Sequence, residues 1–185
     1  MKIADVDINK VSPMMRQYME IKQNNPDIII MFRLGDFYEM FFEDAINVSR
    51  ELELTLTGKN AGLDEKIPMC GIPHHAANIY IEKLIEKGYK VGICEQLEDP
   101  KNAKGIVKRD IIQIITSGTI IDNDSLVEYE NNYIGSLIDF DHAYSLCYAD
   151  ITTGEINVTT ISHNISKAVS EIVSIGMKEI VVTSK

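Results

Sequence analysis

Apolar and polar residues along this chain follow two periods, one helical and one extended, and the switches between them mark out its elements. Ser12-Pro13 offers a cap followed by proline at the first helical position. Met14, Met15, Tyr18, Met19 and Ile21 then form one stripe ending near Asn24-Asn25-Pro26, which predicts a helix. The run Ile28-Ile29-Ile30-Met31-Phe32 predicts a short buried strand over 28–33. Leu34-Gly35-Asp36 breaks it. A helix is expected from Phe37 to about Glu51, with Asp36 as N-cap and Glu39 at a capping-box-like spacing. Leu52, Leu54 and Leu56 alternate with Glu53, Thr55 and Thr57, as in a strand with one polar face. Residues 58–66 read as a polar loop, and Pro68 and Pro73 as brackets of a rigid turn. Residues 75–87 read as a second amphipathic helix closed by Gly88, and 89–96 as a strand. A hairpin-like loop over 99–105 leads to another strand over 107–116. Residues before Val11 show no period and are expected to form a loose arm.

Residues 117–131 lose both periods and turn acidic, as a linker would. Beyond them 133–139, 144–151 and 155–161 read as successive strands, with turns at Asp141-His142 and Thr153-Gly154. Asn164 caps a helix ended by Gly176, and 179–184 reads as a further strand. The predicted class is therefore α/β. An N-terminal α/β domain with a mixed sheet flanked by helices occupies 1–116, and 132–185 has the opening order of a ribonuclease-H-like fold. Such a sheet would keep one face uncovered, so the chain is expected to be a piece of something longer.

Composition adds limits. Among 185 residues, 45% are hydrophobic and 25% charged, ordinary for a globular protein. No apolar run approaches bilayer length and the N-terminus lacks a signal segment, which predicts a cytoplasmic protein without a membrane span. Cys70, Cys94 and Cys147 are odd in number and widely spaced, as reduced thiols would be. The net charge of −10 argues against a broadly basic nucleic-acid binder. It is unevenly spread: 1–116 hold 15 Lys/Arg against 18 Asp/Glu, and 117–185 hold 3 against 10. Any nucleic-acid contact is expected in the first part, and a protein partner suits the second.

The candidate chemistry centres on Phe37 and Glu39. An aromatic and a carboxylate at a strand-to-helix corner form a wedge with a polar reader. By helical spacing alone, Phe37 reads as core and Glu39 as the capping partner of Asp36. His74-His75 has no cysteine or carboxylate at ligand spacing, so no metal is expected. Asp150, with Asp139 and Asp141 nearby in sequence, admits a metal-dependent nuclease as a second class, and a pure protein-interaction module is a third.

Blocks of sequence bear on this choice. S-P-M-M-R-Q-Y at 12–18, F-R-L-G-D-F-Y-E-M-F at 32–41, I-P-M-C-G-I-P-H-H-A at 67–76 and G-I-C-E-Q-L-E-D-P at 92–100 stand in order. V-K-R-D at 107–110, S-G-T at 117–119 and D-I-T-T-G at 150–154 follow. Together they resemble the MutS family of DNA mismatch-recognition proteins along nearly the whole chain. The resemblance implies a mismatch-recognition domain over 1–116 and an incomplete connector domain over 132–185. It maps that family's Phe-x-Glu pair onto Phe37 and Glu39, with Phe37 wedged beside a mispaired base, Glu39 contacting it and the duplex kinked. Backbone grip would come from cations, the candidates being Arg33, Lys59, Lys104, Lys108 and Arg109. It further implies mismatched double-stranded DNA as partner. In the parent protein it implies a homodimer, ATP with Mg²⁺, and a MutL-type repair partner reached through the connector. Three positions depart from the family pattern: Gly58-Lys59 stands for a basic pair, S-G-T for P-G-T, and His74 for an aromatic. No G-x-x-x-x-G-K-[ST] loop occurs in the chain, so no cofactor and no catalysis are expected of it.

Overall fold

The computed structural model describes residues 2–98, 105–119 and 131–182. The chain divides into two compact units, Met1–Ile115 and Thr116–Lys185. Each builds its own mixed sheet, as the α/β reading requires.

In the first unit helix α1 (Pro13–Asn24) starts as the sequence predicts, with the Ser12 hydroxyl accepting from the Met15 N–H. Strands β1 (Ile28–Leu34) and β2 (Phe37–Phe41) follow, then α2 (Phe42–Glu51). The helix expected from Phe37 thus begins five residues late, and Phe37 to Phe41 form a strand instead. Asp36 caps nothing, because it lies in the two-residue turn of the β1–β2 hairpin. Gly35 there has φ +60°, the first central position of a type II′ turn, which glycine fills without a Cβ clash. At the next corner α2 has no side-chain cap, and Phe42 is held at φ +54°. That conformation costs a bulky residue about 1–3 kcal/mol. The fully buried Phe42 ring, stacked on Tyr18, offsets it.

Two further expectations move. The strand expected over 52–57 is β3 (Thr57–Lys59), since Glu53 at φ +55° turns the chain before extension begins. The bracketed turn at 68–73 is a full strand, β4 (Ile67–Pro73). Its prolines are tolerated because β2 pairs with β4 only from Phe41↔Met69 to Phe37↔Pro73. Pro73 therefore lies at the last rung of that ladder, and Pro68 lies beyond it, paired only with Gly58 of β3 on its other side. A 3-10 turn (His74–Ala76) leads into α3 (Ala77–Glu86), then β5 (Lys90–Gln96) and β6 (Arg109–Ile115). The sheet order is β3-β4-β2-β1-β5-β6, with β1 and β5 parallel and every other pair antiparallel.

Strand alternation separates the faces. Ile30, Phe32 and Phe41 join Met15, Tyr18 and Met19 of α1 in one buried cluster. Ile3, Val6 and Ile8 pack against the same cluster, so the segment before Val11 is seated rather than loose. On the opposite parity Met31, Met40, Cys70, Ile72 and Val91 are buried, and α2 and α3 contact β4 and β5. A buried carboxylate ties the layers: Asp44 of α2 accepts from Ile30 N–H (3.1 Å) and Tyr18 hydroxyl (3.2 Å), and pairs with Lys22 (2.9 Å). Cys70 and Cys94 are buried without a disulfide, and burial pushes both thiols up to about 12.

The second unit holds β7 (Tyr133–Asp139), β8 (Ala143–Asp150), β9 (Ile156–Ser162), α4 (Ile165–Ile175) and β10 (Glu179–Val182). The order is β10-β7-β8-β9, an antiparallel meander with β10 added parallel to β7. This is the predicted order of elements. Asn164 caps α4 and Gly176, at φ +75°, ends it. Of the expected linker over 117–131, residues 120–130 lie outside the described residues. Its first residues form a turn of this unit, with the Ser117 hydroxyl donating to Lys178 carbonyl (3.0 Å) and Thr116 bonded to Glu179.

Candidate nucleic-acid interface

The site is built by a hairpin that outruns its neighbour. Parallel pairing of β1 with β5 ends at Phe32↔Cys94, whereas β1 and β2 continue to Leu34↔Phe37. The tip, residues 33–38, therefore projects past the ladder on one side and rests on β4 on the other. Phe37 is the first residue after the turn. Phe37 is 47% exposed, unlike Phe32, Phe41 and Phe42, which are fully buried. Glu39 follows on the same face, opposite Phe32 on one side and Gly71 on the other. Phe37 is therefore not core and Glu39 is not a capping partner, because no helix starts there. Along this face exposure falls from Phe37 through half-buried Glu39 to buried Phe41.

The predicted cations fall into three groups. Lys59 closes on the motif itself: its ammonium pairs with the Glu39 carboxylate and lies 5.6 Å from the Phe41 ring centroid. Arg33 and Arg109 are framework. Arg109 is 8% exposed; its Nε donates to Arg33 carbonyl (2.7 Å), Nη1 donates to Val107 carbonyl (2.9 Å), and its guanidinium sits 5.2 Å from the Phe32 ring centroid. Burial lowers its pKa. Arg33 donates to Gly35 carbonyl and pairs with Glu95 at 3.2 Å. Lys108 is exposed, while Lys104 lies outside the described residues.

Three residues that the sequence did not assign to the site hold the tip. Glu95 of β5 receives the Tyr38 hydroxyl and the Arg33 guanidinium together. Burial, reinforced by Glu95, pushes Tyr38 up to about 12, so its hydroxyl stays a donor. His74 N–H donates to Asp36 carbonyl at 2.9 Å, fastening the turn from the β4 side. Glu95 had a local signal: a carboxylate in the otherwise apolar run Val91-Gly92-Ile93-Cys94.

The nuclease alternative loses its geometry. Asp150 is 1% exposed, and its carboxylate accepts Thr152 N–H (2.8 Å), Thr152 hydroxyl (2.6 Å) and Thr153 N–H (3.4 Å). These bonds, the Thr152 hydroxyl first, hold its pKa below the ordinary value. Asp139 pairs with Tyr144 and Asp150 with Tyr133, opposite ends of one ladder, about 20 Å apart at strand rise. Among the described residues no group of three His, Cys, Asp or Glu is placed to share a metal, and no helix is long and apolar enough to cross a membrane.

Comparison with known proteins finds two family models that match the chain. The family model described as MutS domain I matches residues 12–124, and that described as MutS domain II matches 132–185. The DNA mismatch repair protein MutS of Bacillus licheniformis is 55% identical over 172 residues, 93% of this chain and 20% of the relative. The proteins of the same name from Bacillus subtilis and Clostridium novyi are 54% and 55% identical over 172 residues, covering 20% and 19% of their lengths. The chain thus spans about a fifth of the length of the curated relatives it matches. With both domain models in order along it, the chain belongs to the MutS family.

Proposed function

We propose that the first unit binds mismatched double-stranded DNA in mismatch repair, with Phe37 as a wedge and Glu39 as its polar reader. The observation that carries this reading is an exposed phenylalanine at the tip of a braced hairpin, with a carboxylate beside it on the same face. A protein that serves every mispair cannot use a fixed base-edge code. It reads weak stacking and easy bending, which mispairs share. Phe37 enters the base step, stacks on the mispaired base and recovers about 1–3 kcal/mol of the unstacking cost. The duplex kinks because that cost is least where pairing is already damaged.

Glu39 supplies selectivity. Phosphates repel it, so it penalises an intact duplex, and a mispaired base offers it a ring donor left free by faulty pairing. Without DNA its carboxylate is neutralised by Lys59. On binding, Lys59 exchanges that partner for a phosphate, and Lys108 adds grip. The organisation that accompanies this is a recognition domain over 1–116, a linker over 117–131 and part of a connector over 132–185, whose acidic surface faces a MutL-type repair partner. The whole protein acts as a homodimer in the cytoplasm and couples ATP and Mg²⁺ to recognition. This chain has no phosphate-binding loop for them and performs no catalysis itself.

The test is titration of the whole protein with mispaired and matched duplexes. Phe37→Ala should lower mispair affinity towards the matched level. Glu39→Ala should tighten matched binding with little gain on mispairs. A folded Phe37→Ala protein that still prefers mispairs overturns the reading.

A further inference from the structure

The ladder that supports the hairpin stops before the residues that matter. Parallel pairing with β5 ends at Phe32↔Cys94, so the β5-facing edge beyond it has no rung left to hold it. A wedge driven into a base stack needs a fixed base, because every degree of freedom it keeps in the free protein is lost on binding. Side chains take over where the ladder ends. Glu95 is one residue past the last rung, on the face of the sheet opposite Phe37 and Glu39. It gathers Tyr38, the residue between those two, and Arg33, which is paired with Tyr38 across the hairpin. The guanidinium of Arg33 lies 5.6 Å from the Tyr38 ring centroid and also bonds Gly35 carbonyl in the turn. One carboxylate thus fixes both strands and the turn of the projecting tip, and it keeps a cation next to the wedge engaged within the protein.

We infer that Glu95 is a positioning and specificity residue for mismatch recognition: it braces the Phe37–Glu39 hairpin through Tyr38 and withholds Arg33 from phosphates. The inference rests on the wedge reading above. It assigns Arg33 a role opposite to that of a phosphate-gripping cation. Were Arg33 free beside the wedge, it would strengthen binding to every duplex alike, since phosphates carry no information about pairing. Held by Glu95, it contributes to shape instead of to affinity.

The experiment uses the whole protein, titrated with mispaired and matched duplexes at several salt concentrations. Tyr38→Phe removes one hydroxyl from a buried ring and leaves the fold intact. It should reduce the preference for mispairs about tenfold, the scale of a lost hydrogen bond to a charged group. Glu95→Ala should reduce the preference further and raise matched-duplex affinity. Its salt dependence should steepen by about one released counterion as Arg33 turns outward. Adding Arg33→Met to Glu95→Ala should return the slope to that of the unaltered protein. Glu95→Gln keeps an acceptor for Tyr38, so it should retain more of the preference than Glu95→Ala while sharing the steeper slope. A purely structural role lowers the melting temperature and leaves preference and slope alone; that result overturns the inference. Phe37→Ala run in parallel separates the two levels. If it abolishes mispair preference while Tyr38→Phe and Glu95→Ala do not alter it, the bracing role fails and the wedge stands. If Phe37→Ala keeps the preference, both fail.

Discussion

The two units use the same ingredients to different ends. The first buries a sheet between helices on both faces, and Tyr18, Phe32, Phe41, Phe42, Met31 and Met40 are all fully enclosed. The second covers its sheet thinly. Leu146 and Ala168 are enclosed, but Ile156 and Val158 of β9, Val173 of α4 and Val182 of β10 are more than 60% exposed. Their buried acids differ in the same way. Asp44 knits three elements together through Tyr18, Lys22 and Ile30, whereas Asp150 holds its own turn through Thr152 and Thr153 and reaches Asn132 just before β7. A finished core lets the ends of the two central strands of the first sheet carry a projecting tip. In the second unit several apolar side chains of β9, α4 and β10 stay exposed.

The sharpest way to break this contrast is to empty the first core. Phe41→Ala should destabilise its unit by about 3–5 kcal/mol, while Val173→Ser should change stability by no more than about 0.5 kcal/mol. Urea unfolding followed for each unit measures both. Equal losses would show Val173 to be as firmly packed as Phe41, and the contrast would fail.

Next comes the hairpin turn. Gly35→Ala places a Cβ at φ +60°, although nothing lies within 4 Å of it. The expected loss is about 1–2 kcal/mol from backbone strain alone, read as a lower melting temperature. An unchanged value would mean that the turn relaxes.

The two acids should titrate with opposite sign. Desolvation raises Asp44, the Lys22 pair only partly opposing it, so the folded state binds that proton more readily than the unfolded chain. Its contribution is greatest below the ordinary carboxylate value of 3.8 and falls as pH rises through the folded value. Asp150 is lowered, so its contribution is present above 3.8 and is lost as pH falls through the folded value. The stability gap between the unaltered protein and Asp44→Asn should narrow with rising pH across the acid range, and the gap to Asp150→Asn should widen. Parallel profiles would refute the assignment.

A small effect is also expected of Lys59→Met. The Lys59–Glu39 pair is partly exposed, so its loss should cost no more than about 1 kcal/mol of folding stability. A larger cost would make the pair part of the core, and Lys59 no candidate for exchange with a phosphate.

What the sequence made legible was local. The caps Ser12 and Asn164 and the stop at Gly176 act within four residues, and each element they bound starts or ends where expected. The misread stretch that matters most to the site was Phe37 to Phe41. Its Asp36–Glu39 spacing imitates a helix start, but its alternation of exposed Phe37, buried Tyr38, half-buried Glu39 and buried Met40 is that of a strand. Which period wins depends on β4, and β4 was itself hidden by Pro68 and Pro73. The commitment of Arg109 was beyond local reading altogether, since its acceptor Arg33 lies 76 residues away. The same distance argument covers Glu95, whose partners stand 57 and 62 residues off.

The two buried cysteines give the protein a clock. Cys94 sits opposite Phe32 on β1 and Cys70 opposite Met40 on β2, one on each side of the hairpin. Thiols with pKa near 12 hold almost no thiolate at neutral pH, and burial keeps reagents out. Each can be alkylated only while its strand has opened, so its rate counts openings of the sheet on that side. Cys147, half-buried in β8, supplies an internal reference in the other unit. A duplex that stiffens the hairpin would slow Cys70 and Cys94 together and leave Cys147 running at its own pace.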